Sequence, residues 1–232
     1  MKQITLCIPL LFALACGKEP AVTDGVVTFV KGNALIEHIE ADGSKKTKPA
    51  RPGEKVFAGD AIITGDSTSL IFQVSGAQME IQPNSRFVYE RTGEDKQVYL
   101  QSGNAWTSVS KLGEKGKFTL RTPTTVAGVR GTKFFTYIIP GGTTGTCHCE
   151  GKISYKNTVS GKEEVNDGDY LMFYRDKKAV KVTLEDIKKL GIPANHNHSE
   201  LDNGAMGKKN NLTPAQAAKM MALVEQRFAA QK

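Results

Sequence analysis

The 232-residue chain is 24% charged, with 31 lysines and arginines against 24 aspartates and glutamates, for a formal net charge of +7. A length of this order supplies one sizeable core, or a core with a small appendage. The positive excess is moderate and spread along the chain, and no nucleic-acid-binding motif accompanies it, so nucleic acid is not an expected partner. Its local clusters, Lys45-Lys46-x-Lys48, Lys177-Lys178 and Lys208-Lys209, lie among turn-forming residues and read as solvated loops; an anionic lipid or polysaccharide surface is the other reading.

From the N-terminus, Lys2 precedes an apolar run over residues 4–15, too short to span a bilayer as a helix, which reads as a signal peptide over residues 1–15. From residue 25 onward, short β-branched and aromatic runs are separated by Gly, Asp, Asn and Pro. Strands are expected over residues 26–30, 34–39, 61–64, 69–74, 78–81, 86–90 and 97–100, then 104–109, 117–122, 134–139, 145–149, 152–156 and 169–173. Leu70, Phe72 and Val74 alternate with Ile71, Gln73 and Ser75, with Ile71 out of phase. Strands this short, spaced by about ten residues, suit a sandwich, barrel or irregular solenoid. The segment Pro140-Gly141-Gly142-Thr143-Thr144-Gly145 lacks the Lys-Ser or Lys-Thr ending of a phosphate loop and opens no helix, so it reads as a hairpin turn.

Composition changes after Tyr174. Thr183-Leu184-Glu185-Asp186-Ile187 has the form of a short capped helix closed by Gly191 and Pro193. Residues 195–211, rich in Asn, Gly, His and Lys, read as an exposed linker. Thr213-Pro214-Ala215-Gln216 supplies an N-cap, a proline at the first helical position and a capping-box glutamine. A terminal helix is expected to about Ala230, with Ala217, Met220, Met221, Val224 and Phe228 on one side as a stripe that docks on the β-domain; a partner-binding or self-associating helix is the alternative.

The stretch Thr-Pro-Thr-Thr-Val-Ala-Gly-Val-Arg-Gly-Thr-Lys-Phe over residues 122–134 is the most distinctive in the chain. Gly128 and Gly131 flank Arg130 and permit backbone angles or close contacts that a Cβ forbids, so a tight bend is expected there, followed by Thr132. The block resembles the Val-Arg-Gly-Thr signature of the FecR domain family. Residues 25–32 are similar to that family's opening strand, residues 53–64 to its Gly-x-x-x-x-x-Gly-Asp-x-Ile-x-Thr segment, and residues 81–85 to its Ile-x-Pro-Asn-Ser corner, with Gly103, Phe118 and Gly151 also in place. The resemblance covers roughly residues 22–175. It implies a twisted β-solenoid-like roll and a binding or signalling module without catalytic activity. Phe12-Ala13-Leu14-Ala15-Cys16-Gly17 in turn resembles a bacterial lipobox, with Ala13 where leucine is usual, as in the looser boxes of spirochaetes. It implies cleavage after Ala15 and lipid on Cys16, with several acyl chains giving stable anchoring; ordinary secretion with Cys16 left over is the alternative. A lipid-anchored chain lies wholly outside the cytoplasm, so direct control of a cytoplasmic sigma factor is not expected. Gly17 in place of aspartate favours the outer membrane over the inner.

Arg130 has two readings: a guanidinium that binds carbonyls and ties adjacent coils together, or a clamp for a ligand carboxylate or phosphate. Cys147-His148-Cys149 and His196-Asn197-His198 are both i, i+2 pairs, and Cys147, Cys149, His196 and His198 form a suitable donor set for zinc or copper. Two other readings stand beside it. One is a Cys147–Cys149 disulfide, which in an extended strand needs a bulge; the other is inert packing. His38 reads as a strand surface residue. Trp106 is the only tryptophan, which argues against an aromatic carbohydrate platform.

No His-Glu-x-x-His, Gly-x-Ser-x-Gly or Ser-x-x-Lys motif occurs, and the chain is not read as an enzyme. The expected organisation is a signal peptide (1–15), a lipidated tether (16–24), an all-β FecR-like domain (25–175) and a C-terminal segment (176–232) with linker and small helical appendage. The expected function is an envelope-anchored binding, adaptor or sensor module, with the membrane and an unidentified protein or envelope component as partners and no assured cofactor. The alternative is a metal-binding or redox protein centred on Cys147 and Cys149.

Overall fold

The computed structural model describes residues 25–93, 95–110, 116–168, 170–193 and 212–231, with Cys149 described in its backbone alone. The expected signal peptide, Cys16, Lys208-Lys209, His196 and His198 lie outside the described residues.

In chain order the strands are β1 (Gly25–Lys31), β2 (Ala34–Ile39), β3 (Lys45–Pro49), β4 (Lys55–Val56), β5 (Ala61–Thr64) and β6 (Ser69–Val74). They continue with β7 (Ala77–Ile81), β8 (Arg86–Arg91), β9 (Asp95–Ser102), β10 (Asn104–Val109), β11 (Lys117–Arg121) and β12 (Thr125–Val129). The last are β13 (Thr132–Ile139), β14 (Thr143–Glu150), β15 (Ile153–Asn157), β16 (Glu163–Asn166), β17 (Tyr170–Arg175) and β18 (Lys178–Thr183), followed by helices α1 (Leu184–Lys189) and α2 (Pro214–Ala230). Two nine-stranded sheets result. The first has the order β18-β17-β14-β13-β10-β7-β6-β1-β4 and the second β16-β15-β12-β11-β9-β8-β5-β2-β3.

The chain lays down one or two strands in one sheet, crosses, and lays the next in the other. Both sheets therefore grow along one axis as an all-β roll rather than closing into a barrel. Because β10 is spent in the first sheet between them, β9 and β11 pair in parallel, whereas the other pairings are antiparallel. Phe72 shows what fills the space between the sheets: fully buried, it meets Phe87 and Tyr89 edge-on with ring centroids 5.8 and 5.2 Å away. Burial of such a ring contributes about 1.5–3 kcal/mol by area alone.

At the β17–β18 end the first sheet is covered on both faces. Met172 and Tyr174 point into the main core, while Leu171 and Phe173, one residue out of phase, join Val180, Val182, Ile187, Met220, Val224 and Phe228 in a second apolar cluster beneath the helices. Helix α2 starts as its sequence predicts, with Thr213 and Gln216 forming a capping box and Pro214 in the first turn; α1 starts with the equivalent pair Thr183 and Asp186. The stripe on α2 buries Met220, Val224 and Phe228. No helix among the described residues is long and apolar enough to cross a membrane.

Five strands depart from the sequence expectation. The Lys45-Lys46-x-Lys48 cluster is not a loop but β3, an outer strand whose every residue is exposed and which pairs with β2. Lysines and a closing Pro49 suit an edge that must not recruit further strands. β4 and β16 are short and polar, which hides them from periodicity. β12 falls within the expected glycine bend. β18 carries the first sheet beyond residue 175 to Thr183, with Lys177 in the exposed turn before it and Lys178 opening the strand.

Candidate functional site

The cross-strand registers of the first sheet define a row of residues on its outer face: Phe29, Ile71, Glu80, Trp106, Phe135, Cys147, Leu171 and Val182. A sheet face turned to water is normally polar; this row is mostly apolar. Its β17–β18 end lies under the helices, and at the far end Phe29 is 44% exposed.

Between these ends the sheet and the helices enclose a groove of about 1000 Å³. Phe135, Tyr137, Ile139 and Leu171 form its floor, Ile187, Ile192, Met220 and Met221 its wall, and Gln82, Asn84, Gln101 and Asn104 a rim of amides. No Asp, Glu, Lys, Arg or His is among the described residues lining it. In a chain with 24% charged residues, that is a site shaped for an uncharged, apolar occupant. Phe135 and Tyr137 stack with centroids 5.6 Å apart. Tyr137 rests on Gly145, where a Cβ would stand 2.3 Å from the ring. Burial, reinforced by the neighbouring Cys147 thiol, raises the Tyr137 phenol well above its ordinary value, and its hydroxyl has no hydrogen-bond partner among the described residues.

The signature residues lie away from this groove, at a crossing between the sheets. Gly128 is inside β12, opposite Thr119 and Ser154, and the nearest atom to an added Cβ is 3.9 Å away, an ordinary contact. Arg130 and Gly131 link β12 in one sheet to β13 in the other, with Gly131 at φ 65°. The carbonyl of Gly131 packs on Gly151, where a Cβ would lie 2.4 Å from it. Thr132 is buried and donates to the Lys152 carbonyl at 3.0 Å. Arg130 is exposed and has no hydrogen bond or ion pair among the described residues, so the expected carbonyl-binding guanidinium is not what holds the crossing. Thr132 and the Gly131–Gly151 packing do that, while at the far end of β12 Thr122, Thr124, Thr125 and Thr144 form a separate buried network with oxygen separations of 2.6–3.0 Å.

Residues 60–154 match the family described as FecR protein. The FecR match thus rests on residues 60–154 of the chain. Two crystal structures of a candidate anti-sigma factor from Parabacteroides distasonis, at 1.65 and 2.50 Å resolution, each align at 14% identity with a TM-score of 0.47, over 56% of this chain and 62% of theirs. This chain thus spans less than two thirds of those proteins. No curated protein matches it.

Within the FecR domain, the Gly-Asp and Pro-Asn-Ser segments are structural. Asp60 is buried and accepts from the Phe57 amide at 2.9 Å and from Nδ1 of His38, which is the expected exposed strand residue and also the partner of this buried carboxylate. Ser85 Oγ accepts from the Asn104 amide at 2.9 Å, and the Ser85 Cα lies 2.5 Å from where Gly103 would carry a Cβ. Cys147 is buried, at 6% exposure, in the second apolar cluster. The register steps from Glu150 to His148 opposite successive residues of β13, leaving Cys149 as the extra residue of a bulge. His148 sits 3.0 Å from the Gly168 carbonyl and 2.6 Å from that of Gly151, held by backbone. Among the described residues no group of three or more His, Cys, Asp or Glu is placed to hold a metal ion.

Ala217, Met220 and Met221 stand out in the sequence as a helical stripe, but the other groove residues do not, because the lining comes from widely separated segments. One signal was present: Phe134-Phe135-Thr136-Tyr137-Ile138-Ile139 is apolar on both alternations, as a strand covered on both faces must be.

Proposed function

We propose that this chain is an envelope-anchored lipoprotein, attached through Cys16, whose FecR domain serves as a non-catalytic binding module, adaptor or sensor. The observation that carries this reading is the uncharged groove beside α2. Among the described residues its walls are alkyl and aryl groups, without a carboxylate, amine, guanidinium or imidazole, and its rim of amides suits the polar backbone of a segment that buries apolar side chains. Met220 and Met221 supply an adaptable surface of the kind such recognition uses. The occupant we assign is an apolar segment of a protein partner in the envelope.

A photocrosslinking side chain at Met221, in the full chain expressed in its envelope, tests this. A discrete protein adduct is expected, and Ile139→Glu, which puts a charge on the groove floor, is expected to reduce it at least tenfold. Absence of any adduct at Met221, or an adduct indifferent to Ile139→Glu, overturns the assignment.

A further inference from the structure

The C-terminal end of α2 does more than cover an apolar face. Among the described residues β18 is the outermost strand of the first sheet, and its edge carries backbone groups that none of the described strands pairs. Side chains from the helix reach those groups: Arg227 Nη1 donates to the Lys181 carbonyl, and Nε2 of Gln231, the residue capping the helix, donates to the Ala179 carbonyl at 2.7 Å. Donors spaced i, i+4 on a helix thus meet acceptors spaced i, i+2 on a strand, the repeat at which edge-facing carbonyls occur. The arrangement is locked from both sides. Lys178 Nζ donates back to the Phe228 carbonyl at 3.1 Å, Arg175 pairs with Glu225 and lies over the Phe228 ring at 4.7 Å, and Arg227 binds both oxygens of Asp186 at 2.7 and 2.9 Å.

We propose that α2 is an edge guard, and that the surface it occludes is a strand-docking edge whose partner is β18 of a second copy of this chain. An unguarded edge with this pattern is a template for strand addition. Antiparallel pairing centred on Val180 sets Ala179 of one copy opposite Lys181 of the other, so the N–H and C=O groups of both residues are satisfied reciprocally. The same register sets Lys178 opposite Val182, leaving no lysine directly facing a lysine. A two-fold axis there also brings together the apolar faces of Phe173, Val180 and Val182 that α2 otherwise covers, giving a closed isologous contact.

The test uses the full mature chain with Val224→Asp and Phe228→Asp, which eject α2 from its apolar seat. By light scattering, the parent is expected to be monomeric and the ejected variant to double in mass with rising concentration. Hydrogen exchange is expected to slow at the Ala179 and Lys181 amides in step with that doubling. Adding Lys181→Pro, which removes an outward N–H without touching the ladder to β17, is expected to restore the monomer. If the ejected variant lacks a β-sheet circular dichroism spectrum, a protease site introduced between residues 194 and 211 and cut after folding gives the same readouts. An ejected chain that stays monomeric, or that associates while both amides exchange freely, overturns the proposal.

Discussion

The residues that make residues 122–134 distinctive divide sharply by what each does. Gly131 holds φ 65°, a region that strains a β-branched side chain, and its carbonyl packs on Gly151, where a Cβ would lie 2.4 Å from it. Arg130, beside Gly131, is exposed and makes no hydrogen bond or ion pair among the described residues. Gly131→Val is therefore expected to cost on the order of 1–3 kcal/mol, while Arg130→Ala stays within about 0.5 kcal/mol. Urea denaturation of both variants checks the pair; equal losses would mean that the guanidinium has a structural partner after all. The glycine requirement was legible in the sequence, but the exposure of Arg130 was not, since a residue type says nothing about which side of a sheet crossing it faces. Cys149 shows the same boundary. Its spacing from Cys147 is plain in the sequence, yet the bulge at Cys149 depends on the register of β13 against β14. A bulge brings the two positions toward the separation a disulfide requires. Thiol alkylation with elemental analysis separates the outcomes: no metal, no reactive thiol until reductant is added and then two for a Cys147–Cys149 bond; bound zinc or copper with both thiols protected for a site shared with His196 and His198; no metal and reaction only on unfolding for inert packing.

At the level of elements, the strands rich in β-branched and aromatic residues were legible to within a residue or two, because alternation and turn residues act locally. What escaped were edge strands such as β3, whose lysines carry no periodic signal, and the attachment of α2, which depends on partners far along the chain. Arg227 and Asp186 lie on different helices and meet only after folding. The Arg227 hydrogen bond, opposed in part by burial and reinforced by the Thr183 amide and hydroxyl, holds the Asp186 carboxyl well below the usual carboxylate range. The sign follows directly. A carboxyl depressed in the folded state stabilises fully above its unfolded value, and that contribution drains as pH falls through the ordinary carboxylate range toward the folded value. The parent is thus expected to lose melting temperature in acid along a steeper slope than Asp186→Asn. The variant is less stable at neutral pH, and the gap between the two narrows as pH falls. Parallel melting curves between pH 7 and pH 2 would mean that the pair does not secure α2.

Across the whole molecule, one direction of growth organises the fold, and the two ends of the roll are treated differently. The β3 end is finished with lysines and proline, the β18 end with a helix that also walls the groove. The first sheet runs past residue 175 into β18, and the helical appendage packs on it as its closing layer. The chain enters the first sheet at Gly25, and Cys16 stands nine positions earlier, so an extended tether reaches about 30 Å. Under the proposed lipidation of Cys16, that reach would hold the roll close to the bilayer surface. Because Cys16 is the proposed lipid acceptor, Cys16→Ser is expected to move the protein from the detergent-extracted membrane fraction to the soluble periplasm or medium. Full membrane association of a folded Cys16→Ser chain would remove the lipid anchor from the reading and shift attention to the apolar outer row of the first sheet as the membrane-seeking surface.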